Sequence, residues 1–63
     1  MEEFKLLYND VFNNDGSIKN CGRTKCIQLI ELSMKLKPNI DFGNIRTGFL
    51  NIENIIALYK ELN

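Results

Sequence analysis

The sequence has no histidine, one proline and two cysteines, and its eight basic residues balance eight acidic ones. Each shortage removes a class of function. Without histidine, a base working at neutral pH would have to be a carboxylate, thiol or lysine with a displaced pKa. Ser17 and Ser33 have no partner in the sequence that would activate them as nucleophiles. A closed zinc site needs more donors than Cys21 and Cys26 supply, and a disulfide between them is disfavoured in a reducing compartment. Zero net charge leaves no overall field to recruit nucleic acid or a membrane surface. No apolar run approaches the ~20 residues of a membrane span, and the opening MEEFKLLYND has acids where a secretory signal needs cations. These absences lead to the expectation of a cytoplasmic, non-enzymatic protein with no cofactor, no metal and no membrane partner.

What is there is a short, well-patterned chain. Its 63 residues, 44% hydrophobic and 25% charged, suit one small globular domain over residues 1–63. A chain this short buries only about 60% of its unfolded surface, so its stability margin is small. The organising stretch is TKCIQLIELSMKLK, residues 24–37. Cys26, Ile27, Leu29, Ile30, Leu32, Met34 and Leu36 sweep about 220° of a helical wheel, with Gln28, Glu31 and Lys35 opposite. That breadth predicts a central helix covered from two sides. Thr24 is its expected N-cap; Lys35 and Lys37 suit its last turn, and Pro38 stops it.

The flanking segments carry narrower stripes. Residues 2–12 read as a first helix with Phe4, Leu7, Tyr8, Val11 and Phe12 within about 140° of one another and Leu6 facing away. Glu2 and Glu3 suit its N-terminal end, and NNDGS, residues 13–17, is a turn. Residues 52–62, capped by Asn51, read as a last helix whose Ile52, Ile55, Ile56, Leu58, Tyr59 and Leu62 fill about 160° and should lie on the central helix. Leu29, Ile30 and Ile56 are the expected heart of the core.

Residues 39–50 admit two readings. A hairpin with Gly43-Asn44 as its two-residue turn pairs Phe42 with Ile45, Asp41 with Arg46 and Ile40 with Thr47. The competing short helix would hold two glycines, each costing about 1 kcal/mol. The extended reading is preferred. The fold class is therefore mainly α: a small three-helix domain with a short extended or hairpin segment before the last helix.

Function follows by elimination. Asn13, Asp15, Gly16 and Ile18 resemble half of a calcium loop, but Val11 and Gly22 occupy its anchoring ends, so the segment reads as a turn. Cys26 reads as a small core residue and Cys21 as a thiol beside Arg23 and Lys25. Gly22-Arg23-Thr24-Lys25 at a helix start has the makings of an anion pocket. It also has the simpler reading of a solvated helix end.

Charge is uneven along the chain: −3 over residues 1–15, +4 over 16–40 and −1 over 41–63. The leading expectation is a regulatory or inhibitory module that binds another protein. The richness in Asn, Ile and Lys points to an AT-rich source such as a low-GC bacterium, its phages or plasmids. Leu6, Leu32, Leu36 and Leu58 fall outside or at the edges of the apolar stripes, and together they would form the partner-binding patch, of a homodimer or of a different protein. The alternative is a nucleic-acid-binding regulator resembling a helix-turn-helix. Residues 39–50 would be its reader, with Lys19, Arg23, Thr24, Lys25, Asn44 and Arg46 as contacts.

Overall fold

The computed structural model describes residues 2–19 and 22–63. Helix α1 (Glu2–Val11) is followed by a turn, helix α2 (Arg23–Leu36), strands β1 (Gly43–Asn44) and β2 (Phe49–Leu50), and helix α3 (Ile52–Leu62). The protein is a mainly α, small three-helix domain with an antiparallel two-stranded hairpin before the last helix.

The core is one cluster. Phe4, Tyr8 and Val11 come from α1, Leu29 and Ile30 from α2, Phe42 and Leu50 from the hairpin's flanks, and Ile55 and Leu58 from α3. Phe12 completes it just beyond α1, where it bridges to Ile18 across the turn. That turn is held by its own side chains. The Asp15 carboxylate accepts both the Ser17 hydroxyl at 2.6 Å and the Ser17 N–H at 3.0 Å. These bonds hold the Asp15 carboxyl below its ordinary pKa.

The helices do not pack as the wheel predicts. Helix α3 docks on α1 through aromatic rings: Tyr8 stacks on Tyr59 at 3.8 Å and on Phe12 at 4.6 Å, with Phe4 beside them. Against α2, α3 contributes the Lys37–Glu61 ion pair at 3.0 Å. Helix α2 is instead flanked by α1 and by the two strands. Only Leu29, Ile30 and Ser33 are buried, a single stripe, while Cys26, Ile27, Leu32 and Leu36 are half-buried and Met34 is exposed. The polar member of that stripe is satisfied locally, since the Ser33 hydroxyl donates to the Leu29 carbonyl at 2.8 Å.

Three local expectations are corrected. The N-cap of α2 is Gly22, at φ 82°, and Thr24 lies inside the helix. Asn51 does occupy the N-cap of α3, yet its side chain makes no capping bond; its N–H instead donates to the Phe42 carbonyl at 3.0 Å, tying the helix start to the hairpin. Ile55, not Ile56, is the fully buried isoleucine of α3. Ile56 sits on the shoulder of the stripe, against the turn at Gly16.

The hairpin exists, but in another register. Gly43 pairs with Leu50 and Asn44 with Phe49, so the loop is Ile45–Gly48 and not Gly43-Asn44. Asn44 opens the loop by accepting the Arg46 N–H at 2.9 Å on its side-chain oxygen, and Gly48, at φ 74°, closes it. Gly43 serves close approach. A Cβ there would lie 2.4 Å from the Phe49 carbonyl oxygen and 3.0 Å from Ile30. No helix occupies residues 39–50, so the helical reader of the nucleic-acid alternative is absent.

Candidate docking surface

Strand β2 places consecutive apolar residues on opposite faces, as the pleat requires. Leu50 turns into the core, whereas Phe49 is 76% exposed, the most exposed of the large apolar side chains described. Beside Phe49 lies an open concavity of about 590 Å³ lined by Met34, Ile45, Arg46, Asn44 and Asp41 among others. Met34 and Ile45 are themselves exposed. The stem of Arg23 lies against Gly48 of the loop, its Cγ 2.6 Å from where a Cβ would be. Among the described residues neither Arg23 nor Arg46 takes part in an ion pair. Asp41 uses one carboxylate oxygen to accept the Gly43 N–H at 3.0 Å.

The floor of this surface is tied to the core. Phe42 and Leu50 anchor it in the core, and Asn54 of α3 donates from its amide to the Asp41 carbonyl at 2.8 Å. An aromatic side chain held in solvent by a base tied to the core, next to guanidinium groups, is the composition found at the centres of protein interfaces. There is no Ser, Cys or Lys among the described residues that line this surface. Among the described residues no His, Cys, Asp and Glu side chains cluster to hold a metal.

The patch expected from the sequence does not assemble as a whole. Leu6, 63% exposed, and Leu32 do meet, in a groove of about 490 Å³ between α1 and α2. Leu36 is half-buried against the core, and Leu58 is inside it at 2% exposure. Leu58 is lost from the patch because Ile55, Leu58 and Leu62 form the inward stripe of α3 once that helix docks on α1.

The expected basic contacts divide: Arg23 and Arg46 lie at the hairpin loop, and the two lysines are engaged elsewhere. Lys19 donates to the Asn9 carbonyl at 2.6 Å, and Lys25 pairs with Asp10 at 3.1 Å, so an acid sits beside the start of α2. Arg23 and Lys25, two apart on a helix, leave it in different directions. Thr24 is exposed, Asn44 is spent on the loop, and Arg46 lines the hairpin concavity. Cys26 is half-buried against the core; Cys21 lies outside the described residues.

Phe49 was not singled out by the sequence reading. Its signal was the pair Phe49-Leu50 immediately after a glycine: two adjacent apolar residues in a strand cannot both face the core. No protein-family model, characterised protein or solved structure matches this chain.

Proposed function

We propose that the chain is a non-enzymatic regulatory or inhibitory module that acts by docking on a protein partner through the hairpin face. The observation that carries this reading is the solvent-exposed Phe49 on a base fixed by buried Phe42 and Leu50. Leaving a phenylalanine in water gives the fold nothing, and burying it against a partner recovers about 1.5–3 kcal/mol. Met34 supplies an adaptable apolar neighbour, and Arg46 a planar group able to pair with a carboxylate or stack on a ring.

The test compares wild type with Phe49→Glu as tagged baits in extracts of the source cells, with and without nuclease. A protein retained by wild type after nuclease treatment and lost by the folded variant supports the reading. Retention that depends on nucleic acid, or that is equal for both baits, overturns it.

A further inference from the structure

The hairpin face and the groove between α1 and α2 are complementary in three respects. The first is shape: Phe49 projects into solvent, while the groove is concave and lined by Leu6, Leu7 and Leu32. The second is charge. The groove carries Glu3, Asp10 and Glu31 against Lys25 and Lys35, and Lys25 is already paired with Asp10, which leaves the acids in excess. The hairpin face carries Arg46 and the adjacent Arg23 against Asp41, which leaves the bases in excess. The third is position. Gln28, Glu31, Leu32 and Lys35 face the groove roughly 110° round α2 from Met34, at ~100° per residue, so the two surfaces belong to different sides of the molecule and cannot cover each other within one chain.

We infer that the occupant of the hairpin face is the α1–α2 groove of a second copy of this chain, with Phe49 of one copy seated on Leu6 and Leu32 of the next. This rests on the reading of the hairpin face as a docking surface and names its partner. Because the two patches lie on different sides of the molecule, their contact is head-to-tail, and the copies form a closed ring or an open chain. A standard interface takes about 800 Å² from each partner. The chain exposes 4338 Å², enough to engage both faces at once. The apolar contacts supply the affinity; the exposed charges set which face meets which, each pair contributing little by itself.

Head-to-tail contact has a test that uses the full chain alone. Leu6→Lys blocks the groove and Phe49→Glu blocks the hairpin face; both side chains are exposed, and dispersed amide spectra check that each variant folds. Sedimentation of wild type should show mass rising with concentration, and each variant alone should associate more than about tenfold more weakly. An equimolar mixture of the two variants should form dimers and stop there, because one intact groove meets one intact hairpin.

A wild type that stays monomeric at every concentration overturns the inference and leaves the docking face to its capture experiment. So does a mixture that stays monomeric although wild type associates. Association kept by Leu6→Lys and lost by Phe49→Glu means that the hairpin face is the docking surface but has a different occupant. Association unaffected by Phe49→Glu removes both the inference and the docking face on which it rests. Arg46→Glu should weaken wild-type association and lower its sensitivity to salt, whereas an unchanged salt response would contradict the charge matching.

Discussion

The seam between α1 and α3 and the hairpin both hold aromatic residues, and they treat them oppositely. At the seam Tyr8 stacks between Phe12 and Tyr59 with Phe4 tilted beside them; Phe4, Tyr8 and Phe12 are buried and Tyr59 is half-buried. At the hairpin Phe42 is 1% exposed, and Phe49, across the loop, is 76% exposed. The same side chain is a structural anchor in one place and a display group in the other. The difference lies in the backbone: strand pairing through Gly43 and Leu50 fixes Phe49 on the outer face. The lesson is that folding and recognition in this small chain depend on separable residues.

The sharpest break between the two roles is a pair of truncations. Phe42→Ala should cost about 3–5 kcal/mol, enough to unfold a domain with only a few kcal/mol to spare. Phe49→Ala should change stability by no more than about 0.5 kcal/mol. Urea denaturation followed by circular dichroism measures both, with Ile55→Val, expected to cost about 0.5–1.5 kcal/mol, as a graded core control. Equal losses at Phe42 and Phe49 would abolish the contrast.

Next in size is Gly43→Ala. Its Cβ would meet the Phe49 carbonyl oxygen at 2.4 Å, at a φ of 134°, so the strands must separate. The cost should be about 1–3 kcal/mol. Amide exchange should quicken at residues 43–50 more than in α1. Uniform quickening would mean that the hairpin is not a separable unit.

A smaller effect belongs to the seam. Burial, and then the neighbouring Tyr59, push the Tyr8 phenol above its ordinary pKa. A raised folded-state pKa contributes stability that is complete below the unfolded value of about 10 and is lost as pH rises through the folded value. Alkaline titration followed by ultraviolet absorbance should show Tyr8 ionising late, with the melting temperature falling over the same range. Phe in place of Tyr8 should flatten that fall.

The smallest effect is at the exposed turn. The Asp15 pKa is lowered by the Ser17 hydroxyl and N–H, so its contribution is present above the unfolded value and fades as pH falls through the folded one. Asp15→Asn should remove part of the acid sensitivity below pH ~4 while leaving the seam and the hairpin spectra unchanged.

Much of the fold was legible because helical stripes are local. Phe4, Tyr8 and Val11 mark α1, and Ile55, Leu58 and Leu62 mark α3, by spacing alone. Which helix each stripe would meet was not legible. The width of the α2 arc suggested cover from two sides, which α1 and the hairpin supply, while the stacking of Tyr8 on Tyr59 took α3 to α1 and Met34 stayed in solvent. The same docking removed Leu58 from the expected surface patch.

The hairpin register failed for a related reason. Gly43-Asn44 carries the chemistry of a two-residue turn, but Gly43 is required by the close approach of the Phe49 carbonyl and Ile30, which only the tertiary structure reveals. Asn44 acts as the loop's first anchor, and Gly48 supplies its left-handed residue. With the register shifted, Phe49 became the outward residue, and the candidate site moved with it.

The central question is whether Phe49 contacts another molecule. A photo-crosslinking phenylalanine analogue placed at position 49, and in a second chain at exposed Ile18 on the turn, tests this in the source cells. Discrete adducts from position 49, absent from position 18, are the predicted result. No adduct at position 49, or the same adducts from both positions, would contradict it.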